Sequence, residues 1–590
     1  MSKNSSDIVI LIGTANGSGS QTANQILVKS CFRSGLTVAG KNLFPSNIQG
    51  LPTWYSVRVN NQGWLARRDG NDIVVALNPD SYQKDLQATA AGGLFFYDSS
   101  ARGIEAPTRE DISAFALPIK DILKPLGASV KLRKLLANMV YVGVLARWIG
   151  LDQKVVTSVI SDMFESKQQL LQTNLDAFLA GWNYACSEQN PNDQFVVPPH
   201  SARKDSDLLI DGNTAAGLGA VYGGCQFLAW YPITPSSSLA ESFISYANQL
   251  RIDESGKKTY AVIQAEDELS AISMVIGAGW SGARSMTATS GPGVSLMAEA
   301  AGLSYFAEIP AVIWDVQRAG PSTGLPTRTM QGDVLSAAKL SHGDTNHILL
   351  FPANPKECFE MARTAFDLSE QLQTLVIVLS DLDLGMNFWE SSDFEVDASD
   401  FHRGKVLSAQ DLESKDFKRY ADVDGDGIPF RTLPGTEHSK AAYFTRGTGH
   451  DESAKYSEDG DNYVRLLDRL TKKYETAKKN IPPPILNQSV QSKLGVIAFG
   501  SSDPAVVEAQ SQSEFDYLRL RGWPCGSDLA AFLDGHEQVY VVEQNRDAQM
   551  RTLISEAYPT HAAKLRSILS YDGLPLTASK VLDGLLGDPS

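Results

Sequence analysis

No two of the five cysteines, Cys31, Cys186, Cys225, Cys358 and Cys525, stand close enough in the chain to make a CxxC pair. That spacing excludes a cluster-ligating pattern and a disulfide framework, so no iron–sulfur centre and no metal site are expected on this chain. Apolar runs long enough to cross a bilayer are missing as well. Met1 to Asp7 is short and polar without an apolar core, so export is not expected and the cytoplasm is the expected location. Blocks of Lys or Arg are absent too, and the formal charge is −16 over 590 residues. Nucleic acid and an anionic membrane are therefore excluded as expected partners. What is there is ordinary globular composition, 43% hydrophobic and 20% charged, suited to an enzyme acting on small molecules. A chain of this length needs several cores, so three or four domains are expected.

Taken in order, residues 1–195 read as one α/β domain. Asp7 to Ile12 is a buried-strand run that ends in the turn Gly13-Thr14-Ala15-Asn16-Gly17-Ser18-Gly19-Ser20, and helical spacing follows at Ala23, Ile26, Leu27 and Val28. Such a turn lets backbone N–H groups approach a phosphate at a helix N-terminus. Its spacing is not that of the dinucleotide fingerprint, and a tight turn without a ligand fits equally well. Further strands are expected at Trp54–Val59, Ile73–Leu77 and Gly93–Tyr97, and helical spacing runs from Val130 to about Leu179. Asn190 to Asp205 is polar and Pro-containing, a linker. The second domain, 196–385, opens on Asp211 to Ala220, whose many small residues predict a helix packed very close to its neighbour. Residues 386–489 are charged and irregular. Within them Asp422-Val423-Asp424-Gly425-Asp426-Gly427 starts like a calcium loop, but Pro429 and Leu433 stand where that loop cannot have them, so an acidic turn is expected instead. Residues 490–590 form a third α/β domain, with strands at Leu494–Phe499 and Gln538–Val542.

The most informative stretch lies between Tyr231 and Asp333. It holds Tyr231-Pro232-Ile233-Thr234-Pro235-Ser236-Ser237-Ser238, the acids Glu266-Asp267-Glu268, the turn Thr287 to Gly293, and Gln317-Arg318-Ala319-Gly320-Pro321-Ser322-Thr323-Gly324. Each falls between an expected strand and an expected helix, which gathers them on one edge of a parallel sheet in a doubly wound α/β domain. Taken singly they are ordinary: Glu268 reads as a helix-start acid, Thr234 as a turn hydroxyl, Arg318 as a surface ion pair.

Together these motifs resemble the thiamine-diphosphate-dependent 2-oxoacid:ferredoxin oxidoreductases, and in particular the α-subunit of the 2-oxoglutarate:ferredoxin type with its γ-domain fused in front. The resemblance implies a γ-type first domain, a pyrimidine-binding thiamine-diphosphate fold over 196–385 and the family's domain II over 490–590. It implies that Glu268, chosen over Glu266 and Asp267 by its distance from the Thr287–Gly293 turn, hydrogen-bonds N1′ of the aminopyrimidine. That contact favours the imino form that removes the thiazolium C2 proton. Thr234 and Arg318 would hold the substrate carboxylate, a task suited to a guanidinium, and Arg328 is a candidate for the second carboxylate. Pro232, Ile233, Gly291 and Gly293 would line the cofactor, and Gly13, Gly17 and Gly19 are candidate contacts to coenzyme A. No diphosphate/Mg²⁺ signature and no cluster cysteines occur here. Mg²⁺, the diphosphate site and a [4Fe–4S] cluster are therefore expected on a β-subunit, with ferredoxin as electron carrier and an (αβ)2 assembly. Pyruvate or another 2-oxoacid is the alternative substrate, and a non-catalytic assembly subunit the alternative role.

Overall fold

The computed structural model describes residues 6–46, 50–127, 129–187, 195–202, 204–396, 401–488 and 492–587. The leader and the linker expected at Asn190 to Asp205 lie partly outside these residues. The chain divides into two compact units, one of Met1–Leu209 with Asn387–Ser392 and Thr577–Ser579, the other of the remainder.

Six strands make the sheet of the first unit: β1 (Asp7–Ala15), β2 (Thr37–Leu43), β3 (Pro52–Asn60), β4 (Asn71–Ala76), β5 (Thr89–Asp98) and β6 (Ser113–Leu117). Their order is β2-β3-β1-β4-β5-β6. The strands from β1 to β6 on that side run parallel, whereas β3 is antiparallel to β1 and β2. Alternation along β1 explains its unbroken apolar run. Ile8, Ile10 and Ile12 enter the core under the helices Ser20–Arg33, Val130–Trp148, Gln153–Met163 and Gln168–Ser187, while Leu11 packs with Val74 and Phe95 on the opposite face.

The second unit carries two sheets. Seven strands lie in the order Gly522–Trp523, Ile348–Leu350, Leu375–Asp381, Ala311–Gln317, Ser285–Thr289, Phe227–Trp230 and Ala261–Gln264. All are parallel except Gly522–Trp523, which is antiparallel to Ile348–Leu350. The five-stranded sheet runs Ile485–Asn487, Asp516–Leu520, Leu494–Phe499, Gln538–Glu543 and Leu565–Leu569. The small-residue helix is Gly212–Tyr222, capped by Asp211, which accepts from the Thr214 N–H at 2.8 Å. It packs as closely as its composition predicts: a Cβ on Gly219 would lie 2.3 Å from the Phe359 carbonyl oxygen.

The polar region from Met386 onward is held down by charge. Helix Gly460–Ala477 lays Leu466 and Leu470 against Tyr305, and beside them the buried Glu308 pairs with Arg469 and, at 2.8 Å, with Lys473. Lys405 settles the acidic loop at Asp422. Its ammonium lies 2.7 Å from Asp424, 2.8 Å from Asp426 and 3.0 Å from the Ile428 carbonyl oxygen. Lysine cations thus face the carboxylates of this loop, Lys405 those of Asp424 and Asp426 and Lys472, at 3.2 Å, that of Asp422.

Candidate active site

Four parallel neighbours in the seven-stranded sheet release their loops at one edge. Phe227–Trp230 leads to Tyr231–Ser236, Ala261–Gln264 to the acids, Ser285–Thr289 to the Ser290–Gly293 turn, and Ala311–Gln317 to the loop that runs on to Asp333. Parallel strand direction alone brings these distant segments together, at the carboxyl edge where open α/β sheets take ligands.

The three acids take different positions. Glu266 is exposed; Asp267 caps the helix Glu268–Trp280 by accepting from the Ser270 N–H at 2.7 Å. Glu268 is buried, at 6% exposure. Its side chain makes no hydrogen bond or ion pair with the described residues. A largely buried residue whose carboxyl makes no contact of its own is free to bind a group that reaches this edge. Gly293 is what gives it room. A Cβ there would lie 2.0 Å from Thr289 Oγ1, 2.9 Å from Glu268 Cγ and 3.0 Å from Glu268 Oε1.

The Tyr231 motif folds back on itself, the Ile233 carbonyl oxygen accepting from the Ser236 and Ser237 N–H groups at 2.9 and 3.1 Å. Pro232 and Thr234 are exposed and Ile233 half-buried. Asn213 ties the turn to the small-residue helix, donating to the Pro235 carbonyl oxygen at 2.9 Å. Arg318 reaches the same turn: its Nη1 donates to the Thr234 carbonyl oxygen at 2.7 Å, and its Nε is buried without a partner. Burial lowers its pKa, against the raising effect of Asp333. The structure therefore brings Thr234 and Arg318 together, with part of the guanidinium still uncommitted.

Arg328 is set differently. It lies in the same loop, half-buried, with Nη1 donating to its neighbour's carbonyl oxygen, that of Thr327, at 2.8 Å and with Gly573 packed against its stem. Residues of the five-stranded-sheet part of the same unit hold this loop. The Thr329 N–H donates to the Gly573 carbonyl oxygen at 3.2 Å, the Gln331 N–H to that of Gln544 at 2.8 Å, and Gln331 Nε2 to that of Phe499 at 2.9 Å.

Two residues that sequence reasoning missed lie beneath the turn. Asp315, wholly buried, and Asp333, half-buried with its Oδ2 shut off from solvent, bring their carboxyls together, and a Cβ on Gly291 would lie 2.7 Å from Asp333 Oδ2. Burial and each other's charge raise Asp315 well above the usual carboxylate range, and burial raises Asp333 to about 6. Seventeen residues separate the two in sequence, and only the return of the loop to its own strand, where the Asp333 N–H donates to Gln317 Oε1, brings them together. Other buried polar atoms with no partner among the described residues cluster nearby: Trp230 Nε1, Thr287 Oγ1 and Ser290 Oγ.

In the first unit the turn after β1 has Gly17 and Gly19 at positive φ, with Gly19 directly before the helix Ser20–Arg33. Asn138 donates to the Ser18 carbonyl oxygen at 2.8 Å. Gly13 serves packing: a Cβ there would lie 2.4 Å from Asp85 Oδ2, a buried carboxyl that accepts from Trp54 and Ser81. Among the described residues no three His, Cys, Asp or Glu side chains converge on a metal position. None of the described helices is long and apolar enough to cross a membrane.

A doubly wound sheet with a partnerless buried acid and an arginine at its carboxyl edge defines a cofactor-dependent enzyme of the α/β class. Comparison with known proteins sharpens this. The family model described as "Pyruvate flavodoxin/ferredoxin oxidoreductase, thiamine diP-bdg" matches residues 218–431, and that described as "Pyruvate ferredoxin/flavodoxin oxidoreductase" matches residues 9–184. The chain is 30% identical to "2-oxoacid:ferredoxin oxidoreductase 2, subunit alpha" of Aeropyrum pernix, over 98% of this chain and 96% of that one. It is 32% identical to "2-oxoglutarate synthase subunit KorA" of Methanothermobacter marburgensis, over 58% of this chain and 88% of that one. Among solved structures, the "2-oxoglutarate:ferredoxin oxidoreductase from Magnetococcus marinus with 2-oxoglutarate, coenzyme A and succinyl-CoA bound" superposes with a TM-score of 0.88 at 27% identity, covering 98% and 99% of the two chains. The chain belongs to the α-subunits of the 2-oxoacid:ferredoxin oxidoreductase family.

Proposed function

We propose that this chain is the α-subunit of a 2-oxoglutarate:ferredoxin oxidoreductase and supplies the pyrimidine half of its reaction centre. One observation carries the reading: Glu268 is buried, has no partner among the described residues, and sits against Gly293 at the sheet edge that also holds Arg318 and Thr234. A buried carboxyl in that setting fits N1′ of an aminopyrimidine, to which it hydrogen-bonds and with which it exchanges a proton. Bound thiamine diphosphate supplies a thiazolium carbon able to add to a 2-oxoacid and to hold electrons as CO₂ leaves. The protein's part is to orient and to move protons. Glu268 holds the proton relay at the pyrimidine, Gly291 and Gly293 let the backbone lie close to the ring beside Pro232 and Ile233, and Arg318 with Thr234 fixes the substrate carboxylate. Arg328 is the candidate for a second carboxylate. The acyl group passes to coenzyme A, for which Gly17 and Gly19 at a helix N-terminus are candidate phosphate contacts; Gly13 is left to packing.

A partner β-subunit completes the site with the diphosphate and Mg²⁺ contacts and the [4Fe–4S] cluster, in an (αβ)2 assembly that passes electrons to ferredoxin. The exposed face of the Glu268 helix supports such a partner: Leu269, Met274 and Trp280 face solvent, together with Tyr231 and Leu296. The substrate assignment draws on the 2-oxoglutarate named for the Methanothermobacter and Magnetococcus proteins. Pyruvate or another 2-oxoacid is the second reading, favoured by the Aeropyrum relative, whose name specifies only a 2-oxoacid. Two measurements on the reconstituted complex test these statements. Exchange of the C2 proton of thiamine diphosphate must fall in Glu268→Ala, and unchanged exchange removes the assignment. Steady-state rates over a panel of 2-oxoacids must favour 2-oxoglutarate, and a preference for pyruvate shifts the substrate.

A further inference from the structure

Asp315 lies two residues before the end of the strand Ala311–Gln317, in register with Thr289, the last residue of the neighbouring strand before the Ser290–Gly293 turn. Asp333 returns to it from the far end of the loop, its N–H donating to Gln317 Oε1 at 3.0 Å. Both Asp315 oxygens and Asp333 Oδ2 are buried without a donor among the described residues. The charged and titratable groups beside the pair are Arg318, the first residue after the same strand, and Glu268 across the Ser290–Gly293 turn; Asp381, level with Gln317 on the adjoining strand, is engaged with Thr329. Only Arg318 is a cation, and it forms no ion pair with either aspartate within salt-bridge distance. Two carboxylates side by side in such surroundings cannot both ionise.

We propose that Asp315 and Asp333 share a single proton, and that this proton-locked pair is the positioning floor of the site, setting the Ser290–Gly293 turn against Glu268 and presenting one fixed negative charge to Arg318. The shared proton joins one Asp315 oxygen to Asp333 and so satisfies two of the three otherwise orphaned oxygens. Gly291 rests on Asp333 because no side chain fits there, so any splaying of the pair moves the turn, and with it Gly293 against Glu268. The catalytic consequence rests on the reading of this edge given above, whereas the shared proton does not. The raised pKa values agree with the geometry. They also set a sign. A carboxyl whose folded pKa lies above its unfolded value of about 4 holds its proton more tightly when folded, so its contribution to stability is greatest at low pH and is lost as pH rises. For Asp333 the loss runs from about pH 4 to about pH 6. For Asp315, raised well above the usual carboxylate range, the loss comes at the higher pH at which the pair is forced to carry two charges.

The test uses the full chain in complex with its partner subunit. Infrared difference spectra at pH 7 should show the carbonyl band of a protonated carboxylic acid in the wild-type protein. It should be absent in Asp315→Asn, whose amide replaces the protonated partner, and shifted in Asp333→Asn, where the acid faces an amide instead of a carboxylate. Thermal midpoints should fall as pH rises above 6 in wild type and fall less steeply in Asp315→Asn. In turnover, Asp315→Ala should lower kcat/KM about tenfold by letting the turn shift against Glu268, and Asp315→Asn should recover most of that loss. A wild-type protein with no acid band at pH 7, which needs no variant to establish, overturns the proposal, as does an identical pH slope in wild type and Asp315→Asn. If the band is present while Glu268→Ala leaves C2 exchange intact, the shared proton stands and the reading of the edge fails.

Discussion

Gly293→Ala is the most informative perturbation of the site, because its effect can be worked from positions alone. The added methyl carbon would sit 2.0 Å from Thr289 Oγ1, where ordinary contact begins near 3.4 Å. Thr289 is wholly buried and lies in a central strand between two parallel neighbours, so it cannot yield. The same methyl would be 2.9 Å from Glu268 Cγ. Relief therefore comes from moving the turn or the glutamate by about 1 Å, a displacement that can cost about a hundredfold in rate at a reacting centre. Overpacking of this kind also costs about 1–3 kcal/mol of stability. Two assays read the two effects separately on the reconstituted complex: thermal unfolding, and C2 proton exchange of bound thiamine diphosphate. The expected result is a modest drop in Tm and a far larger drop in exchange. Wild-type exchange in a folded Gly293→Ala complex would refute the placement of Glu268 and Gly293 around the cofactor.

Gly277 lies mid-helix on the exposed face with nothing within 4 Å of an added Cβ; Gly277→Ala should stabilise the isolated chain by up to about 1 kcal/mol through helix propensity while weakening partner binding in a titration. Glu308→Ala strands Arg469 and Lys473 in the interior and should cost about 3–5 kcal/mol in denaturant unfolding. The neighbouring cations outweigh burial and hold Glu308 at about 2. This depressed folded pKa gives stability that is present above the unfolded value near 4.5 and is lost as pH falls through 2, so Glu308→Gln should flatten the acid limb of the stability profile. Lys405→Ala should cost about 1 kcal/mol and leave Asp424 and Asp426 open to a divalent cation at millimolar concentration; Ca²⁺ titration followed by Tm reads both.

Much of this architecture is legible in the sequence because its signals are local. Buried apolar runs mark the central strands, and the small residues of Gly212–Tyr222 announce a close helix contact before any neighbour is known. The turns between Tyr231 and Asp333 locate the sheet edge. Edge elements escape, for physical reasons. β2 contains Lys41, which is buried with its ammonium 3.9 Å from the centre of the Trp389 ring, a contact across the sequence that no window reveals. Gly522–Trp523 is too short for any periodicity and joins a sheet belonging to an earlier stretch of chain. The three acids before the helix cannot be ranked by type; burial and the capping bond of Asp267 separate them. Asp315 and Asp333 look like an ordinary strand acid and a loop acid until the loop's return to its own strand places them together.

The central claim is that Glu268 is the proton-relay carboxyl of a thiamine site shared between two subunits. The most direct measurement is a structure of this chain with its partner subunit and thiamine diphosphate bound. The account predicts the Glu268 carboxyl within about 3 Å of N1′ of the aminopyrimidine, a hydrogen-bond distance suited to proton transfer. Another carboxyl at that nitrogen, with Glu268 turned away from the ring, would contradict it.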